Sequence, residues 1–137
     1  DNLNGVNYFV INGKNSKFVF NDYKTFGTYK KQVFEVPEKL NDVINRYINI
    51  QKLKIDDYLF SLERDRREPI GQPNFSTKIS EVFYKVYNIR KISVRFLRMS
   101  WDSDLYSRNP TVREINELSL KMAHSPRESR LYNKIVK

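Results

Sequence analysis

At Pro37 the spacing of apolar residues changes period, and that change fixes the kind of fold the chain can adopt. Before it, "NYFVI" and "KFVFN" alternate or run apolar on either side of "NGKNS", where Asn12 and Gly13 supply the turn of a β-hairpin. "QVFEV", residues 32–36, gives a third strand closed by Pro37, and "DYKTFGTYKK" between the second and third strands reads as another turn centred on Gly27. After Pro37, Leu40, Val43, Ile44, Tyr47 and Ile48 recur at i, i+3, i+4, i+7 and i+8, the apolar face of an amphipathic helix that begins at the proline.

Further helix starts follow. Ser76 is placed to cap a helix with Ile79, Val82, Phe83 and Val86 on one side, and Ser93 to cap the next. Thr111 with Glu114, and Ser125 with Glu128, both fit the capping-box pattern, the second with Pro126 at its first helical position; helices of about 12 and about 10 residues should follow. Between the first helix and Ser76, "YLF" at 58–60 reads as a short extended piece and "LERDRREPIGQPN" as an exposed loop. The "RDRRE" within it is a solvated charge run or a segment able to track a nucleic-acid backbone. The expected architecture is α+β in a single domain over 1–137: a three-stranded antiparallel meander through residue 36, then a bundle of about five helices over 37–137.

Charge narrows the partners. Lys and Arg number 25 against 16 Asp and Glu, a net charge of +9 and a pI near 9.7, which favours an acidic partner such as nucleic acid or an anionic surface. Residues 84–137 hold twelve basic and five acidic residues, whereas 1–83 hold thirteen and eleven, so the surplus sits in the last third. The absence of cysteine excludes disulfides and thiolate metal sites, and a single histidine argues against a histidine-based one. No stretch approaches the roughly 20 apolar residues of a membrane span, and "DNLNGVNYFV" lacks a basic region and a long apolar run. An intracellular protein is expected, and position 1, opening abruptly on a strand, is not expected to be the natural start of the polypeptide.

The helix "KISVRFLRMSWDSDLY", residues 91–106, places Arg95 and Arg98 one turn apart beside the stripe Val94, Leu97, Trp101 and Leu105. Two long cations held there cost side-chain entropy and desolvation unless an anion meets them. That anion is either internal, Asp102 standing four residues after Arg98, or external.

The sheet hairpin followed by "FSTKISEVFYKVYNIRKISVRFLRMSWDSDLYS" and "ELSLKMAHSPRESRLYNKI" resembles the C-terminal part of the catalytic domain of tyrosine recombinases, the phage-integrase family, in the style of integrases of large DNA viruses and their satellite elements. The resemblance covers nearly the whole chain. It puts Arg98 of "FLRMS" at the motif arginine and Arg95 where the motif has its first histidine. His124 of "KMAHS" takes the second histidine's place, with Ala123 where a glycine is common. Tyr132 of "SRLYNK" falls at the nucleophile, about one residue early after His124, and Lys24 of "YKTFGT" at the lysine of the strand turn. The family's first arginine would lie upstream of residue 1, so this chain alone is expected to be inactive or nearly so.

The resemblance implies DNA strand breakage and rejoining through a 3′-phosphotyrosyl intermediate, with no metal or other cofactor and no small-molecule substrate. The partner is double-stranded DNA, with self-association as a tetramer on DNA, no membrane, and a setting in a host nucleus or viral factory. Tyr132, Arg95, Arg98 and His124 are then expected to converge on one basic concavity with Lys24 on a mobile turn at its rim. The chemistry suits the residue types: a planar guanidinium fork donates to two phosphoryl oxygens and stays charged, and an ammonium can protonate a leaving oxygen. Taken singly, each has an ordinary alternative: Arg98 a surface cation, His124 a helix C-cap or satisfied core histidine, Tyr132 one of nine tyrosines and Lys24 a solvated turn lysine. The other functional reading is a catalytically degenerate relative serving as a DNA-binding or structural component of a virion or assembly.

Overall fold

The computed structural model describes residues 3, 5–62, 65, 67–123, 125 and 127. The architecture is α+β, a three-stranded antiparallel sheet followed by helices, and the chain divides into two compact units, Asp1–Ile70 and Gly71–Lys137.

In the first unit β1 (Tyr8–Val10), β2 (Lys17–Phe20) and β3 (Gln32–Glu35) lie side by side in chain order, with Phe9 opposite Phe18 and Phe18 opposite Phe34. The register sets Phe9, Phe18, Phe20 and Phe34 on one face, where neighbouring rings meet at centroid distances of 4.9, 6.1 and 5.8 Å. Gly13 takes φ +51° in the β1–β2 turn, a left-handed conformation that costs glycine nothing. The β2–β3 connection contains a single helical turn, α1 (Phe26–Tyr29), and Gly27 is not at positive φ; the bend comes instead from Lys30 at φ 56°.

Helix α2 (Glu38–Gln51) starts where expected, after Pro37. Its buried side is displaced by one position from the apolar stripe of the sequence: Asn41 and Ile44 are buried, while Leu40 and Val43 face solvent. The reason is a polar contact that an apolar pattern does not register. The Asn41 amide nitrogen donates to the Gly13 carbonyl at 2.7 Å, docking the first turn of α2 on the β-hairpin loop. Val19, Val36 and Ile44 form the buried apolar centre of this unit. In the 58–60 piece, expected to be extended, residues 59 and 60 are bends, and the charged loop is narrowed by an antiparallel bridge between Ser61 and Pro69.

The second unit opens with α3 (Gln72–Tyr87), capped by Gly71, five residues before the expected cap Ser76. Pro73 sits at the first helical turn, where its missing N–H is no loss, so the proline that marked the loop in the sequence marks a helix start in the structure. Helices α4 (Val94–Ser107) and α5 (Val112–Lys121) begin at the predicted caps. Ser93 Oγ accepts from the Phe96 N–H at 3.2 Å, and Thr111 and Glu114 form a complete capping box, the Glu114 carboxylate accepting from the Thr111 N–H at 2.7 Å. The helix expected after Ser125 lies outside the described residues.

The capping box gives a first prediction. The Thr111 backbone and hydroxyl donors hold the Glu114 carboxyl below its ordinary 4.5, so the box is complete above that value and is lost as pH falls through the lower folded value. Thr111→Ala is expected to cost about 1 kcal/mol of stability. Urea denaturation read by circular dichroism checks the substitution, and repeating it on the wild type across the acidic range checks the direction with pH.

Candidate functional site

Helix α4 carries the two arginines, and its burial differs from the expected pattern. Asp102 is fully buried, at 0% exposure, while Leu97 and Trp101 are exposed, Trp101 by 64%. At 100° per residue, Arg95, Arg98, Asp102 and Tyr106 fall at i, i+3, i+7 and i+11 on one stripe of the helix. The stripe is buried at Asp102, half-buried at Tyr106 and open at its N-terminal end, where both arginines are exposed. The arginines therefore extend the buried line outward instead of flanking a buried apolar edge.

Among the described residues no ion pair joins Arg98 to Asp102, although they are four apart. Arg98 differs in this from its neighbours: Arg108 pairs with Asp104 at 2.7 Å, Arg113 with Glu117 at 2.8 Å, Arg90 lies over the Tyr84 ring at 5.0 Å, and Arg95 is not free either. No acidic residue occupies the first turn of α4, so nothing there opposes the positive end of the helix dipole. Together these leave Arg98 exposed in the second turn of a helix whose first turn holds no acid, an arrangement suited to an anion from outside.

A groove of about 440 Å³ on the same unit is lined by Trp101, Leu105, Leu118 and Met122 together with Glu114, Glu117 and Lys121. Its lining is mostly apolar with charges of both signs, unlike the arginine stripe. Tyr106, the tyrosine of the stripe, has its hydroxyl buried and without a hydrogen-bond partner among the described residues, which keeps that oxygen away from any large substrate.

Lys24 belongs to the first unit and is exposed on the turn before α1. That turn is tied at both ends: the Asn7 side-chain oxygen accepts from the Asn21 and Asp22 N–H groups at 2.8 Å, and the Tyr23 hydroxyl donates to the Lys30 carbonyl at 2.5 Å. Arg95 and Arg98 belong to the second unit. His124 and Tyr132 lie outside the described residues.

The residue before His124 is described. Ala123 closes α5 at φ 51°, in the left-handed region, its N–H donating to the Leu120 carbonyl at 3.0 Å. A β-carbon strains that conformation, and the resemblance expects glycine at this position. Ala123→Gly is accordingly expected to stabilise the chain by about 1 kcal/mol, seen as a higher urea midpoint with unchanged slope.

Comparison with protein families, characterised proteins and solved structures returns no match for this chain. The physical arrangement carries the functional reading. The exposure of Trp101 and the burial of Asp102 are not legible in the apolar pattern; a helical projection centred on Arg95 and Arg98, rather than on the apolar residues, places Asp102 on their line.

Proposed function

We propose that this chain is part of a DNA strand-exchange enzyme of the tyrosine recombinase kind. The observation that carries the reading is Arg98: an exposed guanidinium with no ion pair among the described residues, one turn from Arg95 on a helix whose first turn holds no acid.

In this reading the Tyr132 phenolate oxygen attacks a DNA phosphorus, forming a 3′-phosphotyrosyl bond as the bond to the 5′ oxygen breaks. Arg95 and Arg98 hold the non-bridging oxygens, on which negative charge builds, and a bidentate fork matches them. Lys24 protonates the departing 5′ oxygen and His124 assists at the phosphate. Reversal, with a different 5′ hydroxyl attacking the phosphotyrosine, rejoins the strand and returns the proton and the tyrosine. The basic surplus of the last third supplies the sequence-independent attraction that brings duplex to the site.

A second reading is supported by Arg95 standing at the motif histidine and by the early position of Tyr132: a relative that keeps DNA binding or a structural place in an assembly without the chemistry. Salt titration of duplex affinity tests the part the two readings share. Wild-type affinity is expected to fall linearly on a log–log plot, and Arg98→Ala to lower that slope by about 0.9 while weakening binding only modestly. Binding that is absent, or indifferent to salt, counts against both.

A further inference from the structure

From Val82 to Trp101 the chain contains five cations, Lys85, Arg90, Lys91, Arg95 and Arg98, and five aromatic rings, with no acidic residue among the twenty. A solvated charged face ordinarily mixes both signs, so this stretch is built for a polyanion; the rings ask what else that polyanion presents. Many of the rings are open to solvent: Tyr84 is 44% exposed, Tyr87 64%, Phe96 49% and Trp101 64%.

The stretch spans the corner where α3 ends and α4 begins. α3 closes at Asn88, φ 55°, whose N–H reaches back to the Phe83 and Tyr84 carbonyls. The chain then turns through Arg90 and Lys91 to Ile92, only 4% exposed, whose carbonyl accepts from Ser80 Oγ at 2.5 Å. That bond and the buried Ile92 side chain pin the entry to α4 against α3. The corner thus holds its side chains on a fixed frame. Arg90 lies over one face of Tyr84 and donates to its hydroxyl at 3.3 Å, while Tyr87 leans on Phe83 at 5.8 Å.

We propose that this corner binds an unpaired DNA strand, with bases stacking on Tyr87 and on the Tyr84–Arg90 pair and phosphates met by Lys91, Arg95 and Arg98. Cations alone do not distinguish paired from unpaired DNA, since both offer phosphates. Exposed rings do. In a duplex the base faces are already stacked on one another and reach a protein surface only as edges, whereas an unpaired strand offers a π-face at every nucleotide. Arginine planes stack on bases as well, so the Tyr84–Arg90 pair is a platform of two layers. An acidic protein segment would satisfy the cations and leave the rings without a matching surface. The inference rests on the reading that the anion is DNA, and adds that a strand freed from its complement is held beside the phosphate site.

The test compares the intact chain on a labelled oligo-dT of about 16 nucleotides and on a duplex of the same length, by fluorescence anisotropy at fixed salt. Tyr87→Ala is expected to weaken oligo-dT binding about fivefold or more and to leave duplex binding within about twofold. Tyr87→Phe, which keeps the ring, should bind oligo-dT like the wild type, and circular dichroism of both variants separates lost stacking from lost fold. Arg95→Ala should weaken both ligands. Equal losses on the two ligands in Tyr87→Ala, no loss on either, or an oligo-U of the same length binding tenfold tighter than oligo-dT overturns the inference. Duplex binding without oligo-dT binding overturns it and leaves the recombinase reading standing; oligo-dT binding without duplex binding supports it and removes that reading. A chain that binds neither ends both.

Discussion

Tyr132→Phe is expected, on the proposed recombinase reading, to abolish covalent capture of DNA by the chain supplied with an upstream arginine-bearing segment, while duplex binding changes little. The substitution keeps the ring and removes only the oxygen that attacks phosphorus, so the fold and the electrostatic attraction of the last third persist. The assay is a nicked suicide substrate, on which the freed 5′ hydroxyl diffuses away and the phosphotyrosyl bond accumulates, followed by denaturing electrophoresis. Tyr106→Phe is the matched control. The Tyr106 hydroxyl is buried, so this variant should capture DNA at the wild-type level. An adduct that survives in Tyr132→Phe moves the nucleophile elsewhere, and an extended wild type that yields no adduct replaces the enzymatic reading with the structural one.

The next largest effect is expected at Arg98. In the proposed reading its removal takes away a charge-bearing donor from oxygens whose negative charge grows toward the transition state, a loss of about 10² to 10³ in rate for a comparable donor. Because the charge is larger in the transition state than in bound DNA, Arg98→Ala should slow adduct formation at saturating duplex far more than it weakens binding. Arg98→Lys keeps the charge but not the planar fork and should recover only part of the rate. If Arg98 is an ordinary surface cation, adduct formation at saturation will be the same in all three proteins.

Where local chemistry decides the structure, the sequence was legible. Ser93 and Thr111 each write a helix start in a four-residue signal, and both helices begin there. Strands ending at Pro37 and a helix beginning after it follow from the change of period, and the structure has both. What failed depends on partners distant in sequence. Asn41 is buried because a carbonyl 28 residues earlier accepts its amide, so the inner face of α2 is centred on a polar residue. Trp101 and Leu97, aromatic and aliphatic at helical spacing, look like core and are open, while Asp102, a charge, is buried. Pro73 sits in what the sequence marks as a loop, because its position within the first turn of α3 is visible only once the helix is drawn. For the site, the pairing of Arg95 with Arg98 on one exposed stripe was readable from their spacing. Lys24 is separated from them by more than 70 residues and by the division into units, which no local pattern encodes.

The bonds that open α4 and α5 join residues three apart, Ser93 to Phe96 and Thr111 to Glu114, and α3 closes on carbonyls four and five residues back from Asn88. Contacts so near in sequence close small loops, and the entropy of closing a small loop is low. The helices of the second unit are therefore expected to form within about microseconds to milliseconds, the regime of chains rich in local contacts. The sheet of the first unit must instead wait for Lys17 to find Glu35 across the β2–β3 connection. On a ribosome the order of synthesis is the reverse of the order of speed: the slow strands emerge first, and by the time the cationic helix leaves the exit tunnel they have had the longest time to pair.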